Sequence, residues 1–140
     1  MRILALDVGD RTIGVAMSDS LGQTAQPVTV LTRRTLPQDI ATIAQLVTTH
    51  AVIRVIVGHP ISLRGTPTPQ TRKVETFSRA LQPALACPVE LWDERLTTVE
   101  GDRLLRTSGM RRARRRHVVN QVAAQLLLQK VLEVQRTPCL

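Results

Sequence analysis

Aromatic side chains are almost missing from this 140-residue chain: Phe77 and Trp92 are present, and tyrosine is not. Aliphatic packing must therefore build the core. The shortage also argues against base-stacking platforms, which need several aromatic rings. Cysteine is scarce too. Cys87 and Cys139 stand far apart, with no metal-ligand spacing and no Cys-x-x-Cys pair, so a reducing cytoplasm is the expected compartment. No apolar run is long enough to cross a membrane, and the apolar start is short and ends in Asp7, which is unlike a secretory signal. Lysine is nearly absent as well: of nineteen basic residues, all but Lys73 and Lys130 are arginine.

What is there is charge of one sign. The formal net charge is +8. Guanidinium forks match phosphate oxygens, so nucleic acid is the leading class of partner. A coding bias toward arginine gives the same composition, but it does not explain clustering, and the arginines cluster: Met110 is followed by Arg111, Arg112, Ala113, Arg114, Arg115, Arg116 and His117. Such a run is often only a solvated loop. Here Arg95, Arg103 and Arg106 lie in nearby segments, which favours a phosphate-binding surface with steep salt dependence. The hydrophobic fraction of 43% is that of a folded chain, and with no repeat and no linker one domain over 1–140 is expected.

Residues 1–19 carry an apolar run to Asp7, a turn near Gly9 and Asp10, and a second apolar run. They read as two strands joined by a tight turn. In the first strand Ile3, Ala5 and Asp7 share one face, and Leu4, Leu6 and Val8 the other. Apolar residues on both faces predict a central strand covered on both sides. Asp7 is then a charge at the margin of a core, tolerable beside a cation, an arginine or backbone N–H groups. An isolated Asp-x-Gly is as readily an aspartate that caps its turn.

Farther along, Pro27–Leu31 reads as an edge strand. A helix through Ile40, Ile43, Ala44 and Val47 follows, then a β-branched strand over Val52–Val57. A proline-rich loop after Gly58 leads to a helix through Val74, Phe77 and Leu81. A short strand over Val89–Trp92 runs into Asp93-Glu94-Arg95. Thr97 to Glu100 is a capping-box pattern opening a further helix, and a last helix is expected from about Val118 to Gln135. Three antiparallel strands followed by βα units give an α/β fold: a mixed five-stranded sheet with helices on both faces, in ribonuclease-H-like order. If the strands ending in Asp7 and Glu94 are parallel neighbours, both carboxylates sit at one sheet edge, where active sites of α/β sheets gather. Two oxygen ligands there suit a hard divalent cation and phosphodiester hydrolysis.

The combination of Asp7-Val-Gly-Asp-Arg-Thr-Ile-Gly-Val-Ala-Met-Ser-Asp19, Val57-Gly58-His-Pro60 with Gly65, Asp93-Glu94-Arg95-Leu-Thr-Thr98, and Ala123-Ala124 with Leu127-Leu128-Gln129 resembles the YqgF family, also called RuvX, of the ribonuclease-H-like superfamily. The resemblance spans nearly the whole chain and implies a metal-dependent nuclease. The roles attributed to the family are processing of the small-subunit ribosomal RNA precursor and, by older analogy, cutting of four-way DNA junctions. Asp7 matches the first-strand metal carboxylate, and Glu94 the Glu of the Asp-Glu-Arg motif. The third acidic position, just before the Ala-Ala pair, holds Asn120 here. An amide oxygen ligates a cation without adding charge, so Mg²⁺ binding should weaken and Mn²⁺ be favoured. His117 shares a helical face with Asn120 and either completes the ligand set or touches phosphate. Arg11 and Thr12, in the first turn, are candidates to contact a phosphate beside the metal, although Arg11 could equally pair with Asp10 or Asp19.

Three functions follow. The first is a Mg²⁺- or Mn²⁺-dependent nuclease acting on structured or single-stranded RNA or on branched DNA. It would use Asp7, Glu94 and Asn120, with His117, at the metal, and Arg11, Thr12, Arg95, Arg111, Arg112, Arg114, Arg115 and Arg116 on the polymer. The second is an RNA maturation factor with little catalysis, favoured by Asn120. The third is a nucleotide-binding protein of the actin and sugar-kinase kind, for which the chain is too short to supply a second lobe. Either a monomer or a homodimer is compatible with the sequence; a junction cutter would need two symmetric sites.

Overall fold

The computed structural model describes residues 2–60, 65–93 and 112–136, with side chains in the last stretch described over 121–135. Five strands are present: β1 (Arg2–Val8), β2 (Thr12–Ser18), β3 (Ala25–Thr32), β4 (Val52–His59) and β5 (Val89–Asp93). Helices α1 (Leu36–Thr49) and α2 (Pro69–Leu81) flank β4 in sequence, and α3 (Arg112–Arg136) closes the described chain. The sheet order is β3-β2-β1-β4-β5. β1 is antiparallel to β2 and parallel to β4, and β4 is parallel to β5.

The period-two pattern of β1 sorts its side chains as its sequence predicts. Leu4, Leu6 and Val8 join Val15, Ile43, Val55, Val74 and Phe77 in the larger core, under α1 and α2. Ile3 and Ala5 join Ala16, Ile56 and the α3 residues Ala124, Leu127, Leu128, Val131 and Leu132 in a second core on the opposite face. Each fully buried Leu or Ile contributes about 1.5–3 kcal/mol from removal of its apolar surface. With few rings available, interdigitating aliphatic side chains fill both cores. Small residues at Ala5, Ala16, Ala123 and Ala124, all fully buried, let α3 lie close to the sheet.

Both α1 and α2 begin on capping boxes, at Thr35 and Thr68, each followed by proline early in the first turn. β3 lies at the sheet edge, with Pro27 inside it and an irregularity against β2 between Val15 and Ala16, as a proline-bearing edge strand requires.

Three expectations need correction or limitation. β1 and β5 are not neighbours; β4 lies between them. Its run from Val55 to Val57 is fully buried and takes the place between the other two parallel strands. The last helix begins at Arg112 rather than near Val118, so Arg112, Arg114, Arg115 and Arg116 stand on helical backbone and not in a loop. Arginine is a good helix former, and only its charge suggests a break. The helix expected after Thr97 lies outside the described residues.

Candidate active site

Asp7 is the penultimate residue of β1 and is 6% exposed. Its side chain points to the α3 face, because Ile3 and Ala5, at the same parity, pack there. Directly across on β2 its partner is Gly14. On the other side, one step beyond the Leu6–Val57 pair, stands Gly58 of β4, which in turn pairs with Trp92 of β5. One row across the carboxyl edge of the parallel strands therefore reads Gly14, Asp7, Gly58, Trp92. The positions directly beside Asp7 on both neighbouring strands are glycine and carry no side chain. A hard-oxygen donor so placed is compatible with a divalent cation.

Below this row a second polar group is built on β4 and β5. Arg54 donates from Nε and Nη2 to Glu90 Oε2, the Nε bond being 2.9 Å. Trp92 Nε1 donates to the same oxygen at 3.3 Å, and the Arg54 guanidinium lies 6.0 Å from the Trp92 ring centroid. The Arg54 hydrogen bond holds the Glu90 carboxyl below its ordinary 4.5, against the opposing effect of burial. A carboxyl depressed in the folded state adds stability above its unfolded pKa and loses it as pH falls through the folded value. Arg54→Met should therefore flatten the decline in thermal stability below about pH 4.5, read from melting curves across an acid pH series. The effect is small, because the Glu90 side chain is 39% exposed.

The turn after Asp7 is anchored from three directions. Gly9 N–H donates to the Thr12 carbonyl at 2.8 Å. Gln70 of α2 donates from Nε2 to the Val8 carbonyl at 3.0 Å. Arg33 donates from Nη1 to the Gly9 carbonyl at 2.8 Å and from Nε to Asp39 Oδ2 at 2.9 Å, while its guanidinium lies 5.2 Å from the Phe77 centroid. Nothing in the sequence singled out Arg33, Asp39 or Gln70. The only signal for Asp39 was an acid in the first turn of a helix, which normally faces solvent.

The remaining expected site residues divide as follows. Arg11 is exposed in the turn, and Thr12, half-buried, opens β2. Arg11 pairs with neither aspartate: Asp10 meets Lys73 Nζ at 3.2 Å, and Asp19 accepts the backbone N–H groups of Gln23 and Thr24. His59 is not loop but the last residue of β4, with Nε2 3.2 Å from Glu75 Oε1. Glu94, Arg95 and Arg111 lie outside the described residues, as do the side chains of Arg112, Arg114, Arg115, Arg116, His117 and Asn120. Among the described residues, no three His, Cys, Asp or Glu side chains gather into a metal-binding group.

The model of the RuvX Holliday junction resolvase family matches residues 1–134. The chain belongs to that family. Among its relatives, a Myxococcus xanthus protein described as "Putative pre-16S rRNA nuclease" is 44% identical over 138 residues, covering 99% of this chain and 91% of its own. A Moorella thermoacetica protein of the same description is 47% identical over 133 residues, covering 95% of each. Among solved structures, Thermus thermophilus RuvC in complex with a Holliday junction superposes with a TM-score of 0.61 at 13% identity, covering 96% of this chain and 95% of that one. The fowlpox virus resolvase with its junction DNA superposes at 0.58 and 13% identity, covering 98% and 100%. These structural likenesses establish the ribonuclease-H-like fold. Family and sequence relatives together place this RuvX member among the hydrolytic nucleases.

No helix among the described residues is long and apolar enough to cross a membrane.

Proposed function

We propose that this RuvX-family chain is a divalent-metal-dependent nuclease of the cytoplasm that hydrolyses phosphodiester bonds in RNA, with ribosomal RNA precursor as the substrate class. The observation that carries the reading is the buried Asp7 carboxylate at the carboxyl edge of the central strand, with glycine on both sides. A carboxylate at the carboxyl edge of parallel strands lies where active sites of α/β sheets gather. Glu94 follows Asp93, the end of β5. Ile56 pairs with Glu90 and Gly58 with Trp92, so β5 presents even-numbered residues to the Asp7 face, and Glu94 has that parity. Asn120 precedes the buried Ala123 and Ala124 by one helical turn in the sequence of α3.

Asp7, Glu94 and Asn120, with His117, would hold Mg²⁺ or Mn²⁺. When bound, the ion supplies a Lewis acid that activates water and neutralises charge on the leaving oxygen. The chain's own contribution is placement. Asp7 is held at the strand end by the anchored turn, Arg11 and Thr12 would contact a phosphate beside it, and the arginines at 111–116 would attract the polymer.

A second reading is favoured by Asn120: an RNA maturation factor that binds without efficient cleavage. Labelled single-stranded RNA, ribosomal RNA precursor and a four-way DNA junction, incubated with Mg²⁺ or Mn²⁺, separate the two. Cleavage that is lost in Glu94→Gln supports the nuclease; tight binding with no cleavage in either ion supports the maturation factor; cleavage equal in both proteins rejects the site. Asn120→Asp restores the missing charge, and it should lower the Mg²⁺ concentration for half-maximal cleavage about tenfold.

A further inference from the structure

On the opposite face of the first turn from the Asp7 side chain, the start of α1 and the exposed side of α2 enclose an open cavity of about 460 Å³. That volume is within the range of ligand clefts. Its lining includes Arg33, Arg34, Arg72 and Lys73 against one carboxylate, Asp10. Two of the four cations are already matched: Arg33 to Asp39 and Lys73 to Asp10. Arg34 and Arg72, both exposed, form no ion pair among the described residues. Arg33 also spends only part of its fork, on Gly9 and Asp39, and the Thr76 hydroxyl is on the same wall. Two unmatched guanidiniums, a third already held in place and a hydroxyl around a concave space form a receptor for a tetrahedral oxyanion.

We propose that this cavity is a phosphate subsite that holds a backbone phosphodiester of the nucleic acid flanking the scissile bond. The proposal rests on the nuclease reading above. Asp10 is three residues from Asp7, at most about 11 Å along the chain. A strand engaged at Asp7 that passes over the turn, by Arg11, arrives at Arg34 and Arg72. The subsite is on the sheet face under α1 and α2, whereas the buried residues of α3 pack against the other face. The same chemistry would also take a free phosphate or a mononucleotide.

The test is the salt dependence of oligonucleotide binding, measured by fluorescence anisotropy on the full chain without divalent ions. Arg34→Ala with Arg72→Ala should raise Kd about tenfold at 0.1 M salt and reduce the slope of log K against log salt by about 0.7, one phosphate's worth on a single strand. Arg2→Ala removes a charge at the start of β1, outside the cavity lining, and should leave the slope as it was. An unaltered slope in the double variant, or an equal change in the Arg2 control, overturns the subsite. Inorganic phosphate is the second arm, followed by NMR of the arginine side chains. Shifts of Arg34 and Arg72 with phosphate but not with oligonucleotide overturn the backbone assignment in favour of a free anion. If the alanine pair fails to fold, Arg34→Gln with Arg72→Gln answers the same question. Cleavage that survives in Glu94→Gln would remove the nuclease reading, whereas the slope still reports the cavity.

Discussion

Asp7→Asn is expected to lower the cleavage rate by at least about a thousandfold, equivalent to about 4 kcal/mol of barrier. The expectation comes from where the side chain is. It is 6% exposed, at the end of a strand whose neighbours on that face are both glycine. Asparagine has the same shape, so the packing of β1 between β2 and β4 should not change. What is lost is the one negative charge that the described part of the site offers to a cation. Removing a charge that sits in a water-poor place has a far larger effect on metal binding than removing one at the surface. The fold should be intact by circular dichroism, since the amide keeps the size and shape of the side chain. Affinity for RNA without divalent ions should be the same or tighter, because one repulsive charge is gone. The measurement is single-turnover cleavage of labelled RNA at saturating metal. A rate within tenfold of the unsubstituted protein would mean that Asp7 is only a turn-capping residue.

The sequence made the sheet legible because its strands obey simple rules. The alternation in Ile3–Val8 assigned each side chain to the correct face, and the β-branched run in Val52–Val57 announced a buried strand, which holds from Val55 to Val57 while Ile53 is exposed. Strand order was less legible: nothing local in β5 says that β4 separates it from β1, since that follows from the crossover through α2. The start of α3 was misplaced because charge repulsion and helix propensity point in opposite directions in a run of arginines, and propensity prevailed. The anchored turn was invisible for a different reason. Arg33, Asp39, Gln70 and the Val8 and Gly9 carbonyls are far apart in sequence, and side chain to backbone bonds leave no periodic trace. For the same reason Arg34 and Arg72 read as ordinary surface charge until α1 and α2 set them around one cavity.

Arg33→Ala should destabilise the protein by about 3 kcal/mol, within the range for breaking a buried ion pair from one side. For a chain of this size that is a fall of roughly 10 °C in Tm. Asp39 is the reason: it is 5% exposed, its Oδ2 accepts from Arg33 Nε at 2.9 Å, and its Oδ1 accepts from the Arg34 backbone N–H at 3.0 Å. Removing the guanidinium leaves a buried carboxylate with one backbone donor. Arg33 is 24% exposed, so water partly refills its place and the loss stays at the lower end of that range. A double-mutant cycle isolates the term: with Asp39→Asn in the background, Arg33→Ala should cost much less, because no charge is then stranded. The functional consequence is separate from the stability loss. Arg33 also holds the Gly9 carbonyl at 2.8 Å, two residues beyond Asp7, and its own N–H holds the Arg11 carbonyl at 2.8 Å. Only the side-chain bond disappears in the alanine variant, so the turn keeps its outline but loses its clamp. Cleavage measured well below the lowered Tm should therefore still fall, about tenfold, as expected when a supporting residue lets a site loosen. Arg33→Lys keeps the positive charge, but an ammonium cannot span Asp39 and Gly9 as the fork does, so it should recover much of the Tm and little of the rate. If lysine restores both equally, charge alone matters and the clamp has no part in positioning the turn.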